Sequence, residues 1–347
     1  YNPAVPKRFL NSLVLVVALG LPLGLTAPSG DTGLMAAVLL SSAFGFLIAA
    51  NSGWAVSFRY IPVMLAACAA ASLLSGPWWP VVIGAVALAA GLAQGAGWGM
   101  PVAAAGVIAC SMAPSAPDAA LGLRLVVLAA GAVYAAVVAR ALGLPRLHRA
   151  SRVGRLRSTV SGVGFAAIAG LAAALSHGLP QGYWLPATVF AVVMPSAGMS
   201  LQRRAVQRIA GTLLGAAIAL GISLLEPPQA AVLAVILLCA YLICFFLRPL
   251  WLITTLVTTA LMLLLSGSRD IGGIAESRVL LTITGIVLVL AGAGAGWVMS
   301  RAIPRSVREY ATHEVAPAVT VEAPSADAEV PPAGAEVPSE PADRPRR

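Results

Sequence analysis

Four arginines lie inside or at the ends of long apolar segments, where a charged side chain is costly. Arg124 and Arg278 lie a few residues inside the ends of two such segments, and Arg59 and Arg208 lie at the start of two others. A charged residue within a membrane-spanning segment normally faces the protein interior or an aqueous path. A guanidinium group can bind a carboxylate through two parallel hydrogen bonds. The four arginines therefore indicate a site for an anion.

Simpler explanations exist for the same arginines. Arg124 and Arg278 could extend to the lipid phosphates, or they could pair with the nearby carboxylates of Asp118 and Glu276. The other two arginines could merely anchor span ends on the cytoplasmic side of the membrane. The sequence leaves these alternatives open.

Enzymatic chemistry has little support in this sequence. The histidines lie far apart, and the cysteines lie in apolar runs with no Cys-x-x-Cys pair; they are His148, His177, His313, Cys68, Cys110, Cys239 and Cys244. No His-Glu-x-x-His, Gly-x-Ser-x-Gly or phosphate-binding glycine loop is present. We therefore expect a protein that is not an enzyme and that binds no metal or cofactor.

The composition excludes an ordinary water-soluble fold. Of the 347 residues, 59% are hydrophobic and 10% are charged, and the mean hydropathy is +0.90. Soluble domains have about 25% charged residues, so this chain lacks the polar groups to cover a surface in water. The predicted partner is the lipid bilayer, and no feature predicts a nucleic-acid partner.

Apolar runs predict an all-α membrane protein of about twelve transmembrane helices. The predicted spans lie near 9–28, 32–50, 60–76, 79–95, 98–114, 120–141, 159–177, 183–199, 208–225, 229–247, 250–266 and 277–299. With this count, 16 of the 19 basic residues before position 309 fall on one side of the membrane. The positive-inside rule assigns that side to the cytoplasm, which predicts a multi-pass protein of the cell membrane with both termini cytoplasmic.

The two sets of six spans resemble copies of one another. Trp98 and Trp251 are 153 residues apart, Arg124 and Arg278 are 154 apart, and Arg59 and Arg208 are 149 apart. An even number of spans gives both copies the same orientation, so a pseudo-twofold axis along the membrane normal would relate them. The predicted domains are a first repeat with a basic cytoplasmic loop (1–158), a second repeat (159–308) and a tail (309–347).

The tail differs in composition from the rest of the chain. Residues 309–347 contain 8 acidic and 3 basic residues and are rich in proline and alanine, so we expect the tail to be disordered. The sequence leaves open whether the protein forms a homo-oligomer and whether a soluble partner binds the tail. A membrane scaffold that recruits a partner through its tail is one alternative function; a transporter, by contrast, should keep its activity when the tail is deleted.

One segment combines interfacial aromatic residues with a small-residue helix face. Tyr183 and Trp184 suit the membrane interface, and Thr188 follows one turn later. After a basic turn, Arg208 precedes Gly211, Thr212 and Gly215, and the two glycines form a Gly-x-x-x-Gly face for helix packing.

This segment resembles the signature of the FUSC family, the fusaric acid resistance and aromatic acid exporter proteins. In that family a Tyr-Trp-x3-Thr span with a Pro-Ser-x-Gly end precedes a basic turn and an Arg-x2-Gly-Thr-x2-Gly helix. Arg278, Thr282 and Gly285 resemble a later Arg-x3-Thr-x2-Gly helix of the family. The specific match covers about 35 residues, and a looser one covers most of 159–303. The first repeat has no Tyr-Trp pair and no Gly-Thr after Arg59.

The resemblance implies export of small organic anions, especially aromatic carboxylates, across the bacterial inner membrane. It also implies a relation to the plant aluminium-activated malate transporters. On this hypothesis Arg124 and Arg278 bind the carboxylate between the two repeats, and Arg59 and Arg208 attract it from the cytoplasm. Tyr183 and Trp184 would stack on an aromatic ring, and Thr188 and Thr212 would line the path. A passive anion channel is the alternative to a coupled exporter.

Overall fold

The computed structural model describes residues 32–112, 121–142, 154–193, 200–245, 250–265 and 271–302, together with some helical residues between 14 and 26. Most of the basic loop that joins the predicted repeats lies outside these residues. The tail at 309–347 does too, so its predicted disorder stays a prediction.

Every regular element in the described part of the chain is helical. The helices are α1 (Thr32–Ser52), α2 (Trp54–Leu73), α3 (Trp79–Ala93), α4 (Gly99–Met112), α5 (Leu121–Ala141), α6 (Arg155–Ser176), α7 (Trp184–Val193), α8 (Leu201–Ser223), α9 (Gln229–Phe245), α10 (Leu250–Leu265) and α11 (Ile271–Ala302). A short 3-10 turn at Gln94–Ala96 extends α3. Each predicted span after the first overlaps one of these helices.

Six stretches are long and apolar enough to cross a membrane. They are Trp54–Leu73, Trp79–Ala96, Leu121–Ala141, Arg155–Ser176, Leu201–Ser223 and Gly272–Gly296. The remaining apolar helices are shorter, and α7, with 10 residues, is the shortest. Without water to satisfy backbone groups, helices are the economical way for such a chain to cross lipid. The protein is therefore a multi-pass membrane protein.

Four helices, α2, α6, α8 and α11, begin several residues earlier than the hydropathy predicts, and α2 and α8 carry predicted arginines near their starts. α2 begins at Trp54, directly after Gly53, whose φ of 94° interrupts the helical path. α8 begins at Leu201, where the Ser200 hydroxyl caps the helix by accepting a hydrogen bond from the Arg203 N–H at 3.3 Å. Arg59 and Arg208 thus lie inside helices rather than at their first residues.

The helices pack in pairs that recur along the chain. In the first half, α1 packs on α5, α2 on α4 and α5, and α3 on α4. In the second half, α7 packs on α11, α8 on α10 and α11, and α9 on α10. Between the halves, α3 packs along α6, and α4 packs on α7. α7 is therefore in contact with helices of both halves.

Small residues allow the helices of the two halves to approach closely. Gly91 of α3 meets Gly162 of α6, and further along the same pair Gly84 lies beside Gly170. Where α4 meets α7, the ring of Phe190 packs directly on Gly106. Phe190 is fully buried and makes an edge contact with Phe165, with ring centroids 4.9 Å apart. These contacts hold α7 against the first half.

Candidate functional site

The site is built around the first turn of α7. Before this helix, Gln181 has a φ of 56°, a left-handed conformation that is uncommon for a residue with a side chain. The Trp184, Leu185 and Ala187 N–H groups donate to carbonyls one turn earlier, and Pro186 has no N–H group. The N-terminus of α7 therefore has no free backbone donor for a ligand among these residues.

The turn before α7 orients the indole of Trp184. Its Nε1–H donates to Oε1 of Gln181 at 3.3 Å. The ring of Tyr183 lies beside it, with centroids 4.7 Å apart and an angle of 39° between the planes. Two neighbours thus fix the indole, and one of its faces is directed toward α11.

Arg278 of α11 lies on that face. Its Cζ atom is 3.5 Å from the centroid of the Trp184 ring, and only 5% of the residue is exposed. A desolvated contact of this kind contributes about 2 kcal/mol. Stacking uses the face of the guanidinium and leaves its N–H groups, which lie in the plane, free to donate. Both Nε and Nη1 of Arg278 are buried and have no hydrogen-bond partner among the residues that the structure describes.

A second guanidinium lies nearby. Arg208 of α8 is within electrostatic range of Arg278, and α8 packs on α11. Arg208 is half-buried, and its Nε is buried with no hydrogen-bond partner. Two like charges at short range in a medium of low polarity repel one another. An anion placed between them would remove that repulsion and accept their hydrogen bonds.

The structure does not support pairing of Arg278 with Glu276. Two residues along an α-helix correspond to a rotation of about 200°, which places the two side chains on opposite sides of α11. Glu276 is exposed, whereas Arg278 is buried against Trp184. Asp118, the corresponding candidate partner of Arg124, lies outside the described residues.

The other two predicted arginines have different surroundings. Arg59 of α2 is exposed. Arg124 of α5 is half-buried, and its Nε is buried with no hydrogen-bond partner. The helices that carry Arg124 and Arg278, α5 and α11, are not among the closely packed pairs. The structure therefore joins Arg278 to Arg208, whereas the pairing of Arg124 with Arg278 stays a prediction.

The remaining predicted residues are buried between helices. Thr188 and Thr212 are 2% and 3% exposed, and Thr188 lies against Gly285 of α11. Gly211 and Gly215 bring α8 against α10, where they face Thr254 and Thr258. In addition, the Thr259 hydroxyl donates to the Gly215 carbonyl at 3.1 Å. The two glycines thus fix the position of the helix that carries Arg208.

Two residues near the site were not selected from the sequence. Gln181 orients Trp184, and nothing in its sequence context indicates this role. Arg204 donates from Nη1 to the Val192 carbonyl at the C-terminal end of α7, at 3.0 Å. Its spacing of four residues from Arg208 places both on one face of α8, and that spacing could have identified it.

Among the described residues, no group of three or more histidine, cysteine, aspartate or glutamate side chains could hold a metal ion. The chemistry that this site offers is therefore that of guanidinium groups, an indole and a phenol.

Comparison with known proteins places this site within a recognised sequence family. Residues 155–292 match the sequence model of the family described as fusaric acid resistance protein-like. That range contains α6 to α10 and most of α11, and so it includes Tyr183, Trp184, Arg208 and Arg278. No curated protein and no solved structure shows significant similarity to the chain. The match confirms the resemblance to the FUSC family over residues 155–292 of this multi-pass membrane protein.

Proposed function

We propose that this protein exports small organic anions, in particular aromatic carboxylates, across the bacterial inner membrane. The observation that carries the proposal is Arg278, which is buried on the face of Trp184 with Nε and Nη1 donors that have no acceptor in the described part of the chain. Arg208 adds a second positive charge within electrostatic range, on a helix that packs against α11. The family match supports transport in general, and the two guanidinium groups supply the selectivity for anions.

The energetic argument starts from the cost of the unliganded site. Removing a charged group from water costs several kcal/mol unless another group pairs with it. The stacking on Trp184 offsets only about 2 kcal/mol of that cost. A carboxylate that binds to Arg278 recovers charge-assisted hydrogen bonds, which are about twice as strong as neutral ones. The site is thus organised for an anion and is unfavourable for a cation.

The proposed anion path would lie between the two repeats. The closely packed helix pairs of the first half recur in the second half six helices further along the chain. This recurrence supports an internal duplication. Detailed contacts agree with it. Gly131 of α5 lies against Val38 and Ser41. Gly285 of α11, 154 residues further on, lies against Leu185 and Thr188, which follow Val38 and Ser41 by 147 residues.

This alignment also predicts how the repeats differ. The residue that corresponds to Trp184, 147 positions earlier, is Ala37. The first repeat thus has Arg124 at the position of Arg278 but lacks the indole beneath it. We therefore expect Arg124 to contribute less to binding than Arg278, although both would line the path between the repeats.

The predicted orientation sets the expected direction of transport. With both termini cytoplasmic, Arg59 and Arg208 would lie toward the cytoplasm and attract anions from it. A membrane potential that is negative inside favours anion efflux by about 2.3 kcal/mol per charge per 100 mV. The membrane potential can therefore contribute to driving efflux of an anion, and voltage-driven flux without a pH gradient would distinguish a channel from a proton-coupled carrier.

The experiment is uptake of radiolabelled benzoate into proteoliposomes that contain the purified protein. The Arg278→Gln variant should reduce protein-dependent flux by about tenfold or more, since one charge-assisted hydrogen-bonded contact accounts for about 1.5–3 kcal/mol. Arg157→Gln, which removes an exposed arginine of α6, is the matched control and should retain the wild-type flux. Equal flux for both variants would refute the assignment of Arg278 to the anion site.

A further inference from the structure

We infer that the ligand of this site carries two negatively charged groups, one for Arg278 and one for Arg208. The inference rests on the proposed function and narrows its substrate class to organic dianions, such as dicarboxylates. It follows from the number of charges in the site, the positions of the free donors and the surroundings of the indole.

The charges in the site do not balance. Arg278 and Arg208 lie within electrostatic range of one another. In the part of the chain that the structure describes, the acidic residues are Glu226 and Glu276, and both are exposed. Tyr183, which also lies within range of Arg278, has a phenol that is neutral near pH 7. Among the described residues, the two positive charges therefore have no carboxylate counter-charge here.

A single carboxylate would compensate only one of the two positive charges. A carboxylate has two oxygens, and one arginine can occupy both of them in a bidentate pair. The free donors are distributed over both arginines, because Nε and Nη1 of Arg278 and Nε of Arg208 are all buried without a partner. A monoanion on Arg278 would leave Arg208 with an uncompensated charge and an unused donor. A second acidic group on the same ligand would satisfy both.

The contact between Trp184 and Arg278 indicates that the site recognises its ligand by charge. Its face on the α11 side is already occupied by Arg278 at 3.5 Å. A ligand ring cannot stack on that face without displacing the guanidinium. Trp184 thus holds Arg278 in place, and the discrimination between ligands depends on how well their acidic groups match two fixed positive charges.

The test uses pairs of ligands that differ by one charge and have nearly the same shape. The probes are benzene-1,2-, 1,3- and 1,4-dicarboxylate, each compared with its own monomethyl ester. Binding is measured by isothermal titration calorimetry on the full chain in phosphatidylcholine nanodiscs, where no anionic lipid competes. At least one diacid should bind about tenfold more tightly than its monoester, which corresponds to about 1.4 kcal/mol. The isomer with the largest ratio reports the spacing of the two guanidinium groups.

The variants assign the second charge to Arg208. Arg208→Gln should reduce the ratio between diacid and monoester to about twofold or less while the monoester still binds. Arg208→Lys retains the charge and should retain most of the preference. Arg157→Gln should leave the ratio unchanged. Size-exclusion chromatography of each variant establishes that it is folded before the ligands are compared.

The outcomes separate this inference from the proposed function. If each diacid binds no more tightly than its monoester, while Arg278→Gln abolishes the binding of both, the inference is wrong and the proposed function stands. A preference for diacids that persists unchanged in Arg208→Gln also overturns the inference. If no probe binds to the wild-type protein and benzoate flux is insensitive to Arg278→Gln, both the inference and the proposed function fail.

Discussion

Replacing Gly215 by alanine should force α8 away from α10. A Cβ atom at Gly215 would lie 2.5 Å from the Thr255 carbonyl oxygen and 2.8 Å from Cβ of Thr258, whereas ordinary contacts begin at 3.4 Å. The obstacle is backbone, which cannot rotate aside, so the helices must separate by roughly 0.9 Å at this point.

The expected cost follows from the contacts that would be lost. Inserting a methyl group into a well-packed interface costs about 1–3 kcal/mol. The hydrogen bond from the Thr259 hydroxyl to the Gly215 carbonyl, 3.1 Å long, would weaken as the helices separate, at a cost of about 1 kcal/mol. The higher helix propensity of alanine returns about 1 kcal/mol. The net loss of stability is about 2 kcal/mol.

Gly221→Ala on the same helix is the matched control. No atom lies within 4 Å of a Cβ at that position, and the residue is exposed. The assay is thermal unfolding of both variants in the same detergent, followed by tryptophan fluorescence. Gly215→Ala should unfold several degrees below the wild-type protein, whereas Gly221→Ala should unfold at or slightly above the wild-type temperature. Equal unfolding temperatures for the two variants would refute the close packing of α8 on α10.

Two further predictions concern the surroundings of the site. Trp184→Leu removes the stacking surface of Arg278 and should weaken anion binding by about tenfold, since the cation–π contact contributes about 1–2 kcal/mol. The affinity of Trp184→Phe should lie between those of the wild-type protein and Trp184→Leu in the same calorimetric titration. Gly106→Ala would overlap the buried ring of Phe190 and should destabilise the protein by about 1–3 kcal/mol. Gly122→Ala, with nothing within 4 Å of its Cβ, should leave the unfolding temperature unchanged, and equal effects of the two glycine variants would contradict the packing of α4 on α7.

The positions of the helices were largely predictable because hydropathy is a local property. A run of apolar residues is insoluble in water wherever it lies in the chain, so each predicted span after the first overlaps a helix. The helix starts were less predictable. Arg208 resembles the start of an apolar run, yet α8 begins seven residues earlier at Leu201, where Ser200 supplies the cap. Capping depends on backbone geometry that hydropathy does not describe.

The sequence indicated individual residues of the site, but not which of them are in contact. Arg278 is notable in sequence because a charge in an apolar segment is costly, and Trp184 because it belongs to a family motif. Their contact joins residues 94 positions apart and depends on how α7 packs on α11, where Gly285 lies against Thr188. The structure places Arg208 within electrostatic range of Arg278, whereas the pairing of Arg124 with Arg278 that the sequence repeat suggested stays a prediction. Which arginines lie near one another depends on the angles between helices, and no single segment encodes those angles.

The contact between α3 and α6 constrains how the two halves can move. Along this pair the backbones touch at Gly91 and Gly162, and again near Gly84 and Gly170. Long side chains can change rotamer while two helices slide past one another. Two glycine backbones in contact have no side chains that could adjust in this way. A relative translation would bring the Cβ of a neighbouring residue into the space that glycine leaves open. These two helices should therefore move as one rigid body during a transport cycle, and rearrangement must take place elsewhere in the bundle.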